Sequence, residues 1–197
     1  MRELIVTEWM SLDGVVQAPG AADEDPSGGF RHGGRHLRYF DDLSRVWVLR
    51  NLTQAGGLLL GRRTYERFAA HWPKAPDEEQ GLARPLNSLP KYVASTTLTE
   101  PLEWQRSFLL QGDVAEAVAA LKGENGAPLL VIGSTELVRT LIEHDLVDEF
   151  RFMIDPVVLG GGTRIFRDDG ELRRLRLVDG RVTTTGAVLA TYAATRS

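Results

Sequence analysis

Three short polar segments follow directly on apolar runs: Gly61-Arg62-Arg63-Thr64, Ser95-Thr96-Thr97 and Gly133-Ser134-Thr135-Glu136. Two guanidinium groups at a helix start, with hydroxyl-rich turns nearby, suit a dianionic phosphate such as the 2′-phosphate of NADP. A helix start adds free backbone N–H groups and the positive end of the helix dipole. Gly133 would let the backbone come close to a ligand, and the Ser134 and Thr135 hydroxyls could add donors. Each segment taken singly also reads as an ordinary connection, with Ser134 as an N-cap or Arg62-Arg63 as a solvated helix start.

Hydride transfer from a nicotinamide cofactor often needs an acid near the reacting carbon. Asp13, at the end of the first apolar strand, is the candidate, although Asp-Gly after a strand is also a favoured turn pair. Trp9 could line a substrate pocket or belong to the core. His32 and His36 stand four apart, but with no third ligand evident they do not specify a metal site. Gly133-Ser134 is no nucleophile elbow, because no G-x-S-x-G surrounds it.

Those residues must be held by alternating strands and helices. Arg2–Trp9 reads as the first strand, and Gly57–Gly61 and Leu129–Ile132 as strands buried on both faces. Lys91–Ser95 and Phe108–Leu110 read as two more. Helical stripes run through Leu37, Phe40, Leu43 and Trp47, through Phe68 and Ala69, and through Leu137, Val138, Leu141 and Ile142. Asp113 and Glu116 form a capping box ahead of Val114, Val118 and Leu121. Pro73–Pro90, with four prolines, reads as a loop, and the glycine-rich Gln17–Gly34 as either a lid or a solvated surface loop. Glu149–Asp155 reads as a strand with Phe150, Phe152 and Ile154 facing outward, a possible edge or interface. The last strands, near Leu172–Val178 and Ala187–Tyr192, have no helix between them and are expected to pair antiparallel. The expected fold class is therefore α/β, a mostly parallel three-layer sheet with an antiparallel C-terminal edge, in one domain over 1–197. In such a sheet, ligands bind beyond the carboxyl ends of the parallel strands, which is where the three polar segments fall.

With 43% hydrophobic and 25% charged residues in 197, the composition is that of a soluble globular protein. A net charge of −4 offers no footprint for nucleic acid, and no apolar run is long enough for a membrane span. Glu3 and Glu8 interrupt the N-terminal apolar stretch, which argues against a signal peptide. The absence of cysteine removes disulfides, thiol catalysis, iron–sulfur clusters and cysteine-ligated zinc. A cytoplasmic location is the expectation.

Five segments in order, SLDGV (Ser11–Val15), LLLGRRTYE (Leu58–Glu66), LPKYVAS (Leu89–Ser95), LLVIGSTELVRTLIEHDLVDE (Leu129–Glu149) and PVVLGGGTRIF (Pro156–Phe166), resemble the dihydrofolate reductase-like superfamily. The resemblance is to stand-alone proteins similar to the reductase (C-terminal) domain of the riboflavin-biosynthesis deaminase/reductase, and it covers nearly the whole chain. It implies an α/β/α sandwich, NADPH as cofactor, a small heterocyclic substrate and a homodimer. It implies that Gly61, Arg62, Arg63 and Thr64 contact the 2′-phosphate and pyrophosphate, and that Ser95 and Thr96 flank the adenine. It places the Gly133, Ser134, Thr135, Glu136 and Leu137 backbone at the pyrophosphate and Gly14 near the nicotinamide. Asp42 (or Asp41) stands in the region where dihydrofolate reductases bind the pterin. Two departures bear on the substrate: Ile132 stands where riboflavin-pathway reductases commonly carry an acid, and Thr7 where they commonly carry a lysine. A protein that binds NADP(H) without catalysis, and a flavin-dependent reductase on the same fold, are the alternatives.

Overall fold

A computed structural model describes residues Met1–Thr195; Arg196 and Ser197 lie outside the described residues. The strands are β1 (Leu4–Ser11), β2 (Gly57–Gly61), β3 (Lys91–Ala94), β4 (Ser107–Leu109), β5 (Leu129–Ile132), β6 (Glu149–Asp155), β7 (Leu175–Val182) and β8 (Val188–Ala194). The helices are α1 (Asp42–Gln54), α2 (Arg62–His71), α3 (Gln80–Ser88), α4 (Val114–Gly123) and α5 (Thr135–Glu143). The strands form one mixed sheet in the order β4-β3-β2-β5-β1-β6-β8-β7. The chain clusters into two compact units, Met1–Val6 with Trp47–Val147, and Thr7–Val46 with Asp148–Ser197.

In the first unit β2 pairs parallel with both β3 and β5, and β3 pairs parallel with β4. Leu58, Leu59 and Leu60 of β2 and Leu129 and Val131 of β5 are 0% exposed, as a continuous apolar run between two covered faces requires. Burying each such side chain contributes about 1.5–3 kcal/mol. Around Trp104 the core is polar but satisfied. Its indole N–H donates to Asn87 Oδ1 at 2.7 Å, and the Lys91 ammonium, over the ring at 4.2 Å, donates to the carbonyls of Asn87 and Gln105. Burial pushes the Lys91 pKa down to about 8. Asp113 caps α4 by accepting from the Glu116 N–H at 3.0 Å, as its spacing predicts.

Pro73–Pro90 is not the loop its prolines suggest. It contains α3, with Pro85 inside the helix, because Ala83 and Leu86, 0% and 3% exposed, bury its apolar face. That packing outweighs the hydrogen bond that a helical proline removes. The expected stripe from Leu37 to Trp47 also breaks: Arg35–Arg38 is a 3₁₀ turn and α1 begins at Asp42.

In the second unit β8 pairs antiparallel with β7, as expected, and also with β6. Phe150 and Phe152 do not face outward: they are 4% and 2% exposed and pack with Phe166. The physical reason is position, since β6 is followed in the sheet by β8 and β7 and is not an edge. The edge is β7, where Leu177, Val178 and Val182 are exposed.

Candidate functional site

Parallel pairing sets the carboxyl ends of β3, β2 and β5 side by side, with β2 in the middle. The polar segments that follow them share that rim. Gly61 is the N-cap of α2, in an extended conformation (φ −79°, ψ 162°), and as a glycine it offers no side-chain cap. Ser134 is the N-cap residue of α5, in the left-handed region (φ 66°, ψ 58°), and its hydroxyl caps nothing on its own helix. It accepts instead from the Gly61 N–H at 2.7 Å and donates to Thr64 Oγ1 at 2.8 Å. Two helix starts are thus joined, and in neither does the N-cap residue cap its own first turn with a side chain.

Both glycines are required by this approach. A Cβ at Gly61 would lie 3.0 Å from Ser134 Cβ and Oγ, and one at Gly133, whose φ is +58°, would lie 3.3 Å from Thr64 Oγ1. Thr135 and Glu136 open α5; the Glu136 carboxylate is paired with Arg139 at 2.6 Å. Leu137 is 7% exposed, so its side chain belongs to the core and only its backbone could serve a ligand. Arg62 pairs with Glu66 at 3.0 Å, whereas Arg63 is exposed and, among the described residues, makes no ion pair. The Ser95 hydroxyl is engaged by the N–H groups of Thr97 and Leu98, at 3.1 and 3.0 Å, and Thr96 is exposed. The first unit therefore brings Gly61, Thr64, Gly133 and Ser134 into contact. Arg62, Arg63, Ser95, Thr96, Thr135 and Glu136 stand on the same rim.

Such a rim fits a phosphate-bearing cofactor. It has two helix starts without an N-cap side chain, backbone stripped of Cβ atoms at two positions, and the Arg63 guanidinium, which makes no ion pair among the described residues.

The second unit holds the other sequence candidates. Asp13 accepts from Ser11 Oγ at 2.7 Å and from the N–H groups of Leu159 and Gly160 at 3.1 and 3.0 Å, and pairs with Arg164. These hydrogen bonds, the Ser11 hydroxyl foremost, hold its carboxyl well below the usual carboxylate range. Asp13 thus clasps the turn through these contacts. Gly14 closes that turn with φ +81°, donating to the Ser11 carbonyl at 2.9 Å. Trp9 stacks on His36 with ring centroids 3.9 Å apart and remains half-buried. Asp42 is exposed at the start of α1. Its neighbour Asp41 is the structural carboxylate, accepting from Thr184 and Ser44 and held low by those bonds.

Two features escaped the motif reading. His36 and Asp155 are both 0% exposed and joined by a 3.0 Å Nδ1–Oδ1 contact, with Arg35 3.8 Å from the second carboxylate oxygen. Glu8 is 5% exposed, and burial, with the Glu24 carboxylate adding to it, pushes its pKa up to about 8. One sequence signal pointed to Glu8: it shares strand parity with the buried Leu4 and Val6. Among the described residues, no cluster of three His, Cys, Asp or Glu side chains could hold a metal ion, and no helix is long and apolar enough to cross a membrane.

The model of the RibD C-terminal domain matches residues 2–189. The chain is 35% identical to YyaP of Bacillus subtilis (strain 168) over 143 residues, 72% of this chain and 75% of YyaP. Among solved structures, a protein assigned to riboflavin biosynthesis from Shewanella sp. PV-4 superposes with a TM-score of 0.68 at 23% identity, covering 98% of this chain and 99% of that one. A pyrimidine reductase-like protein from Corynebacterium diphtheriae NCTC gives 0.64 at 14% identity, over 100% and 93% of the two chains. At these identities the two structures establish the fold, which is the α/β class expected from the sequence.

Proposed function

Because the chain belongs to the RibD C-terminal domain family, we propose that it is an NADPH-dependent reductase that transfers hydride to a small heterocyclic substrate. The nearest named candidate is the phosphoribosylamino-uracil reduction of riboflavin biosynthesis. The observation that carries the reading is the pair of helix starts joined through Ser134, neither capped by its own N-cap side chain, with Arg63, which makes no ion pair among the described residues, beside them. Arg62, Arg63 and Thr64 would hold the 2′-phosphate, and the backbone from Gly133 to Leu137 the pyrophosphate. Ser95 and Thr96 would flank the adenine. When bound, the cofactor supplies the hydride. In the second unit, Gly14 would border the nicotinamide, and Trp9 and Asp42 are the substrate candidates.

Against the pyrimidine as substrate stand Ile132 and Thr7, which lack the charged groups expected for it. A second reading, an NADP(H)-binding protein without catalysis, is favoured by one observation: the Asp13 carboxylate is committed to its clasp. The proposal includes a cytoplasmic setting, one functional domain over 1–197 and a homodimer. Support for the dimer comes from β7, last in the sheet order, with Leu177, Val178 and Val182 at 57%, 51% and 70% exposure.

The test is NADPH oxidation in the presence of the phosphoribosylamino pyrimidine, then of pterins and small carbonyl compounds. Turnover with any of them supports a reductase. NADPH binding without turnover on any favours the non-catalytic reading, and a yellow protein as purified would favour a flavin enzyme.

A further inference from the structure

The His36 imidazole, carried by the 3₁₀ turn Arg35–Arg38, is 0% exposed and lies flat on the Trp9 indole, with ring centroids 3.9 Å apart and an interplanar angle of 18°. Its Nδ1 is 3.0 Å from Oδ1 of Asp155, a carboxylate also 0% exposed, whose second oxygen has Arg35 Nε at 3.8 Å. The turn itself is fixed. The His36 N–H donates to the Pro19 carbonyl at 3.1 Å, and the Arg35 guanidinium donates to the carbonyls of Gln17 and Val15 at 2.6 and 2.7 Å. Phe40 completes the cluster, its ring centroid 5.9 Å from that of Trp9 and 5.6 Å from that of His36. Trp9 and Phe40 keep part of their surface open, whereas His36 and Asp155 keep none.

A histidine is a costly way to fill this space. Its Nε2 has no hydrogen-bond partner among the described residues, so the buried ring forgoes one of its two hydrogen bonds. What the imidazole supplies, and an aliphatic side chain would not, is a flat face for the indole and a nitrogen through which Asp155 sets the plane of that face. An aromatic side chain already held in one orientation gives up little freedom when a ligand stacks on it. We infer that His36 is a positioning residue for the substrate: fixed by Asp155, its ring backs Trp9 and holds the indole as a platform for a planar heterocycle. This rests on the reading above that Trp9 meets the substrate, and it narrows that substrate to one with a flat ring to stack.

Two variants separate the ring from its anchor. His36→Phe keeps a flat ring against Trp9 and removes the nitrogen that meets Asp155; His36→Asn keeps an N–H for Asp155 and removes the ring. Pterin, a planar heterocycle without a phosphate, is the probe, and its affinity and that of NADPH are measured by calorimetry well below each variant's thermal midpoint. The indole N–H resonance of Trp9, assigned by its loss in Trp9→Leu, is followed by NMR together with those of Trp47, Trp72 and Trp104. His36→Asn should weaken pterin about tenfold and move the Trp9 resonance, while the other indole resonances and the NADPH affinity stay as in wild type. His36→Phe should stay within about threefold of wild type for pterin even with a lower midpoint, because the ring remains. A Trp9 resonance unchanged in His36→Asn overturns the inference, as does a pterin affinity that follows the thermal midpoint rather than the ring. A wild type that binds no pterin, or a Trp9→Leu variant that binds it as tightly as wild type, overturns the assignment of Trp9 to the substrate and this inference with it. Wild type that binds no NADPH overturns the cofactor reading and not this one, which the pterin titrations decide.

Discussion

The Asp13 carboxylate lies 3.0 Å from the amide nitrogen of Gly160, a residue 147 positions away along the chain. With Leu159 N–H and Ser11 Oγ on the same group, this contact anchors the Ser11–Gly14 turn to the segment after β6. Asp13→Asn is therefore expected to lower the thermal midpoint at neutral pH. A folded-state pKa held below the ordinary value of 3.8 contributes stability above that value and loses it as pH falls. The gap between wild type and Asp13→Asn should close on acidification. An Asn variant with an unchanged midpoint would contradict the clasp.

Glu8 has the opposite sign. Its folded-state pKa, about 8, lies above its ordinary value of 4.5. The stability it contributes is fully present below 4.5 and is lost as pH rises to about 8, with a slope approaching 1.4 kcal/mol per pH unit. Urea denaturation of wild type across this window should show that decline, and Glu8→Gln should remove it. Parallel curves for the two proteins would show that Glu8 is ionised throughout.

Gly61→Ala and Gly133→Ala test the close approach of the two helix starts. Gly61→Ala forces Ser134 away, and Gly133→Ala adds the strain of a Cβ at φ +58° with Thr64 Oγ1 at 3.3 Å. Each should cost about 1–2 kcal/mol in denaturant titration and weaken NADPH binding. Gly81→Ala, where a Cβ meets nothing within 4 Å, is the control and should cost neither.

A charge on the edge strand tests the dimer. Val182→Asp, at a position 70% exposed, should leave the thermal midpoint of the fold intact and convert a dimer to a monomer by light scattering. A wild-type protein that is monomeric at all concentrations would remove the dimer from the proposal.

The strand–turn–helix units of the first unit were legible because their signals are local. Leu58–Leu60 and Leu129–Ile132 are uninterrupted apolar runs, each ended by a glycine that the turn needs. The helix over Gln80–Ser88 was not legible, because Pro85 breaks the local pattern and only the tertiary burial of Ala83 and Leu86 restores it. The same limit explains the Asp13 clasp, in which Leu159, Gly160 and Arg164 come from the far end of the sequence, and Phe150 and Phe152, whose alternation cannot tell a strand's covered face from its open one. At the candidate site the residue types were readable, but the direction of the Ser134 hydroxyl was not. That depends on a backbone angle unusual for serine.

The central claim is that the α2 start recognises a 2′-phosphate. Titration of wild type and Arg63→Ala with NADPH and NADH, read as affinity and as a shift of the thermal midpoint, tests it most directly. Wild type should bind NADPH more tightly than NADH, and Arg63→Ala should lose NADPH affinity, about tenfold or more, while NADH affinity stays the same. Equal losses for both cofactors, or no midpoint shift with either, would contradict the account.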